Sequence, residues 1–317
     1  LPDAPLKPIK FDVSKRCFKH QSCKRYNGTA MSQDNRSVNV TSPRIDAHHH
    51  LWRYKADEYG WINQQMGILR HDFLPDDLKP LLDRAGISGT IAVQARQTPG
   101  ETEWLLQLTE SATWMRGVVG WAPIAHPDFP DTLAELRRNT KLKGLRHVIH
   151  DEPDDHFILH PAFNRGIRAL RDTGLVYDIL IHARHLPHTL QFVDMHPDQP
   201  FVVDHCAKPL IATGQLEPWS THMQELAKRS NVSCKLSGLV TEADWQQWTP
   251  ASLEPYWRTV LEVFGPGRLL FGSDWPVALL ASSYQRWIDI VTEWLAPLSE
   301  DEQQAIWGSN SSRVYSL

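Results

Sequence analysis

Eight short apolar or β-branched runs recur along this chain, each followed by an amphipathic stretch of helical length, and this alternation restricts the fold more than any other feature. The runs cover residues 44–50, 89–94, 117–123, 144–149, 176–182, 201–205, 232–237 and 268–274. A strand that is apolar on both faces belongs in a parallel sheet covered on both sides. A helix after each strand returns the chain to the same edge of that sheet. Helices are expected over 76–84, 101–111, 131–138, 161–173, 186–196, 217–230, 253–264 and 284–295, with a closing segment at 300–307. Leu78, Leu81 and Leu82 share one face of the first, as amphipathic packing requires, and Gly86 and Gly174 stand where helices commonly terminate. Eight such units over about 270 residues predict an α/β fold, a (β/α)8 TIM barrel. The alternative, an open doubly wound sheet, lacks the Gly-rich phosphate loop it needs after its first strand.

Residues 1–43 break the pattern. They carry eight Lys and Arg against Asp3, Asp12 and Asp34, show no periodicity, and are read as a flexible N-terminal extension to a barrel over 44–317. Met31 is a candidate natural start; a targeting segment is the competing reading, against which Asp3 and Asp12 speak. The whole chain has 317 residues and a net charge of −4, which gives no basic field for nucleic acid or anionic lipid. No apolar run approaches the roughly 20 residues of a membrane span. Of the four cysteines, Cys17 and Cys23 lie in the polar extension, while Cys206 and Cys234 lie in apolar runs. That distribution points to neither a disulfide framework nor a zinc knuckle, and to a reducing, cytoplasmic setting.

Functional groups of such a barrel gather where its strands end. Those ends read His48 and His50, then Gln94, Trp121, Arg146 with His147, His182, His205, Lys235 and Asp274. His48 and His50, two apart, point to one face of a strand and His49 to the other. A triple His can also be a surface cluster, but here it is embedded in a strand and followed by Leu51 and Trp52. Asp274 could cap a helix, yet Pro276 disfavours helical geometry at Trp275. Most of the 13 tryptophans are expected in packing; Trp52 and Trp275, each directly after a strand end, are candidates to wall a pocket.

Five stretches carry a family pattern in order: residues 45–52 (Ile-Asp-Ala-His-His-His-Leu-Trp), 144–147 (Gly-Leu-Arg-His), 204–209 (Asp-His-Cys-Ala-Lys-Pro), 235–239 (Lys-Leu-Ser-Gly-Leu) and 271–277 (Phe-Gly-Ser-Asp-Trp-Pro-Val). On these the chain resembles the amidohydrolase superfamily, in the amidohydrolase-2 branch of sugar-lactone hydrolases of the fuconolactonase and rhamnonolactonase type. The resemblance begins near Arg44 and implies a barrel of the metal-dependent-hydrolase type acting in carbohydrate metabolism. It implies Asp274, His48, His50 and His205 as the catalytic set, and the same four as ligands if a single divalent ion is bound. Arg146 and His147 stand where binuclear members carry a bridging lysine, so a two-metal site is not expected. No cofactor is strictly required, or one divalent ion, zinc first among them.

Lactone hydrolysis needs a base for water, an electrophile for the carbonyl and a proton for the leaving alkoxide. An ordinary aspartate is ionised near neutral pH, which suits Asp274 to the first task. His48, His50 and His205 would polarise the carbonyl as hydrogen-bond donors or through a metal. Arg146, His147, His182 and Lys208, with Trp52 and Trp275, are the candidate substrate-binding residues. The expected partner is a small-molecule lactone, with no nucleic acid and no membrane, and self-association into a homo-oligomer is left open. Two other readings are carried forward: a metal-dependent decarboxylase or hydrolase of a cyclic carboxylic acid, for which Arg96 and Arg184 would matter, and a catalytically silent binding barrel.

Overall fold

The apolar runs form eight parallel strands hydrogen-bonded in chain order, β1 to β8. The computed structural model describes residues 43–317; the extension expected over 1–43, with Cys17 and Cys23, lies outside the described residues but for Pro43. The strands are β1 Ile45–His49, β2 Gly89–Val93, β3 Met115–Gly120, β4 Leu142–Val148, β5 Val176–Leu180, β6 Phe201–Val203, β7 Val232–Leu236 and β8 Leu269–Phe271. The helices between them are α1 Pro75–Ala85, α2 Pro99–Ser111, α3 Phe129–Leu136, α4 Pro161–Leu170, α5 Leu186–Asp194, α6 Trp219–Ala227 and α7 Pro250–Phe264, and α8 Tyr284–Leu295 follows β8. The fold is therefore the expected (β/α)8 barrel.

Local chemistry sets the helix limits. Thr98 and Ser283 accept hydrogen bonds from backbone N–H groups three residues ahead and start α2 and α8. Gly86, at φ 67°, ends α1 in the left-handed conformation that glycine takes without cost. The segment expected at 300–307 is shorter as an α-helix: α9 covers Glu300–Gln304, gives way to a π turn over Ala305–Ser309, and resumes as α10, Asn310–Val314.

Two expected strands are shorter because the backbone turns left-handed beyond them. The run at 201–205 leaves the sheet after Val203 because His205, Cys206, Ala207 and Lys208 all have φ between 48° and 59°. The run at 268–274 leaves it after Phe271, and Asp274 has φ 57°. Left-handed backbone cannot continue a ladder, so both candidate catalytic side chains stand just beyond their strands.

Alternation divides each strand between two cores. Ala47, Ile91, Val93, Val119, Val176, Val202 and Leu270 fill the barrel interior, and Tyr315, beyond α10, joins them. The outward residues pack with the helices in one continuous apolar layer. In β1 a register shift between Asp46 and His49 interrupts strict alternation, so Ala47 joins the interior while His48 still reaches the groups above it. Between β8 and β1 no continuous ladder runs among the described residues. That seam is held by a single bridge, His49 to Trp275, and by polar bonds: Asp274 N–H to His48 O at 2.8 Å, and Ser273 N–H and the Tyr284 hydroxyl to the two oxygens of Asp46 at 2.9 and 3.0 Å. No described helix is long and apolar enough to cross a membrane.

Candidate active site

The ends of β1, β6 and β8 bring His48, His50, His205 and Asp274 to one point. His48 Nε2 and His50 Nε2 are 3.2 Å apart. Asp274 Oδ1 lies 3.4 Å from His50 Nε2 and 3.8 Å from the Nε2 atoms of both His48 and His205. All four are at least 96 % buried. Close packing fixes the rings. Gly238, at φ 65°, lies against His205 so tightly that a Cβ there would stand 2.4 Å from Nδ1, and Ser237 Oγ meets that Nδ1 at 2.9 Å.

Burial shapes the charge of the cluster. It pushes His205 down to about 4, with Asp274 and Asp204 pulling the other way. It holds His48 well below the usual imidazole range despite Asp204 beside it. For Asp274 burial acts upward, but His205, His50 and Lys208 outweigh it and leave the carboxyl below its ordinary value. At neutral pH His48 and His205 are therefore neutral imidazoles beside an ionised Asp274.

The donor set fits one divalent ion. His50 Nδ1 donates to Val93 O at 2.8 Å, so its Nε2 presents a lone pair towards the Asp274 carboxylate. Two lone pairs facing each other in a buried corner call for a proton or a cation between them. Ligands about 2.0–2.1 Å from a tetrahedral zinc stand roughly 3.3 Å apart, and the His48, His50 and Asp274 atoms are separated by 3.2–3.8 Å. All three lie mutually within 4.8 Å, as do atoms of His48, Asp204 and His205.

The corner opens into a cavity of about 310 Å³. Arg146 and Lys208 line it, but each is already paired: Arg146 donates to Asp204 Oδ2 at 2.9 Å and to Gln94 O, and Lys208 Nζ lies 3.2 Å from Glu242. The other sequence candidates stand elsewhere. His147 is on the outer face of β4, between Phe157, Trp121 and Glu152, since alternation allows only one of two adjacent residues to face inward. His182 packs on His150 without reaching the cavity wall. Trp52 is wholly buried and donates to His71 O, and Trp275 packs on Phe73 behind the corner.

Sequence reasoning missed part of the wall and the layer beneath it. Trp61, Met66, Trp245, His150, Asp151 and Glu242 line the cavity from loops and short 3-10 turns that carry no periodicity. Beneath it, Asp178 of β5 and Asp204 after β6 pair with Lys235 of β7 at 2.5 and 3.0 Å. The signal for Asp178 was available: a carboxylate in the middle of an apolar strand is costly unless it has a cation to meet.

Residues 45–317 match the sequence model of the Amidohydrolase family. The chain is 42% identical over 285 residues to an L-fucono-1,5-lactonase of Burkholderia multivorans, covering 86% of this chain and 96% of that one. It is 38% identical over 281 residues, with the same coverage, to an L-fucono-1,5-lactonase of Burkholderia ambifaria. The fold superimposes with a TM-score of 0.84 on the crystal structure of a Burkholderia multivorans amidohydrolase with bound zinc, at 42% identity over 87% of this chain and 100% of that one.

Proposed function

The chain belongs to the amidohydrolase family, and on that footing we propose that it hydrolyses a neutral sugar-acid lactone, with L-fucono-1,5-lactone the first to try. The observation that carries the reading is the state of the cavity's cations: Arg146 is spent on Asp204 and Lys208 on Glu242. A substrate that already bears a carboxylate would need an unpaired cation on the wall. Arg96, which pairs with Glu58, and Arg184, which pairs with Asp155, lie off it. This disfavours the cyclic carboxylic acid. The convergence of all four catalytic candidates disfavours a silent barrel.

In this reading Asp274 takes a proton from water as it attacks the lactone carbonyl. Without a bound ion, an N–H that His48 or His205 turns to the corner stabilises the oxygen that gains charge. The ring C–O bond then breaks, and the proton on Asp274 passes to the departing alkoxide, so the carboxylate is regenerated for the next cycle. His48, His50 and Asp274, with His205 beside them, would hold a divalent ion, zinc first, which supplies polarisation of the carbonyl and a more acidic water. Lys208, Trp61 and Trp245 are assigned to hold the sugar, and the unbridged, buried thiols of Cys206 and Cys234 suit a reducing cytoplasm.

The test is proton release on a panel of 1,4- and 1,5-aldonolactones, with spontaneous opening subtracted. Stereoselective turnover supports the assignment. A flat panel turns attention to carboxylated rings and to decarboxylation.

A further inference from the structure

A second layer of charge lies under the catalytic corner, and the lactone chemistry above does not call on it. Lys235 is wholly buried and has three N–H donors. Its Nζ stands 2.5 Å from Asp178 Oδ2, 3.0 Å from Asp204 Oδ1 and 3.2 Å from His48 Nδ1. The Tyr315 hydroxyl, reaching up through the barrel interior, donates to Asp178 at 2.8 Å. Asp204 Oδ2 is taken by Arg146. Its Oδ1 has no aligned donor, although it lies 3.3 Å from the same His48 Nδ1.

The Nδ1 edge of His48 therefore faces a donor and an acceptor at nearly equal distance. A neutral imidazole has one N–H and one lone pair, so it can answer only one of them. We infer that Lys235 and Asp204 form a two-position selector for the ring proton of His48, with Tyr315 and Asp178 as positioning residues that hold Lys235 in reach. With Lys235 donating to Nδ1, the proton sits on Nε2 and His48 offers an N–H to the corner. With Nδ1–H donating to Asp204 Oδ1, Nε2 offers the lone pair that a divalent ion needs. One nitrogen loses a proton and the other gains one, so the charge of the ring is unchanged.

Two contacts of the ring favour the first position and one the second. Lys235 is aligned on Nδ1, and His50, whose Nδ1 donates to Val93, turns its Nε2 to within 3.2 Å of His48 Nε2; against them stands Arg146 Nη1, a donor 3.3 Å from the same Nε2 whose shorter bond, 2.9 Å, goes to Asp204 Oδ2. Asp204 Oδ1, ion-paired with Lys235 at 3.0 Å but without an aligned hydrogen-bond donor, marks where the proton goes in the second. A carboxylate that receives the far N–H of a metal-bound imidazole orients the ring and raises its basicity. The inference rests on the proposed function only in taking this corner as the working site.

The experiment is a long-range 1H–15N spectrum of the labelled full chain, with the His48 signals assigned by their loss in His48→Asn. The expected result is an Nε2-protonated ring without zinc and an Nδ1-protonated ring after one equivalent. Asp204→Asn should raise the zinc dissociation constant, by chelator competition, about 10- to 100-fold. Tyr315→Phe keeps the ring packing but strips Asp178 of a donor, so Asp178 draws Lys235 away and the Nδ1-protonated form gains without zinc. Val119→Ala, a packing loss in the same interior, should leave the balance unchanged. A ring already protonated at Nδ1 without zinc would overturn the inference, as would a spectrum that zinc leaves unmoved or a Tyr315→Phe spectrum identical to wild type. If Asp204→Asn does not fold, the Tyr315→Phe spectrum decides. No lactone enters these measurements, so a protein that selects tautomers yet opens no lactone would refute the proposed function alone.

Discussion

Replacing Asp274 by Asn should remove the base, and the charged ligand of any bound ion, while leaving the fold in place. The residue sits at φ 57°, its N–H bonded to His48 O at 2.8 Å across the barrel seam. Asn is among the few residues that take this backbone conformation readily, whereas Ala there adds roughly 1–2 kcal/mol. The amide also keeps an oxygen in the buried corner facing His50 and His205, but it accepts no proton from water. A positioned general base contributes about 10²- to 10⁴-fold, or roughly 2.7–5.4 kcal/mol at ~1.36 kcal/mol per decade. The expected kcat of Asp274→Asn on L-fucono-1,5-lactone, read by proton release near neutral pH, is lower by that factor. Its thermal midpoint should stay close to wild type. Asp274→Ala should lose the same activity and also melt about 2–8 °C lower, at roughly 2–4 °C per kcal/mol for a domain this large. An Asp274→Asn enzyme within tenfold of the wild-type rate, at an unchanged midpoint, would refute the assignment and place the base elsewhere.

Three further outcomes are expected. Because burial lowers His205 to about 4 and Asp274 lies below its ordinary range, kcat/KM should be level between about pH 5 and 7 and fall as pH drops through about 4, where His205 gains its proton; a limb near 6.5 would contradict a buried neutral His205. Glu242→Gln frees Lys208, 3.2 Å away, so the sugar-acid product should inhibit about two- to fivefold more tightly, the worth of a part-exposed ion pair of up to ~1 kcal/mol; an unchanged inhibition constant would show that Lys208 does not face the product. Gly166→Ala would set a Cβ 2.0 Å from Ile124 O beneath α4, costing ~1–3 kcal/mol of overpacking, and a wild-type melting point would contradict that close approach.

The barrel was legible because each strand is apolar on both faces, and β1, β2, β5 and β7 fall where the runs predicted within a residue or two at each end. The four catalytic candidates were legible because polar residues end those runs. Their neighbours were harder to read. Arg146 and His147 look equivalent in sequence, and only strand alternation sends one to the cavity and the other to Phe157. Trp61 and Trp245 come from irregular loops, where no periodicity says which side faces in. The Lys235–Asp178–Asp204 layer joins three strands, and a pairing across strands leaves no local signature in any one of them.

The weakest join in the ring of strands is also where the proposed catalytic corner is assembled. Asp46 and Ser273, which stitch it, are 227 positions apart in the chain. Loop-closure entropy grows only by about 0.6 kcal/mol for each doubling of loop length, so the distance is a modest thermodynamic burden but a long search. A partly refolded chain can own its helices, most of its sheet and all three histidines while the carboxylate that completes them is still adrift. Recovery of hydrolysis after denaturation then clocks the closing of the hoop and trails the return of helical signal, which makes turnover a more stringent measure of nativeness here than secondary structure.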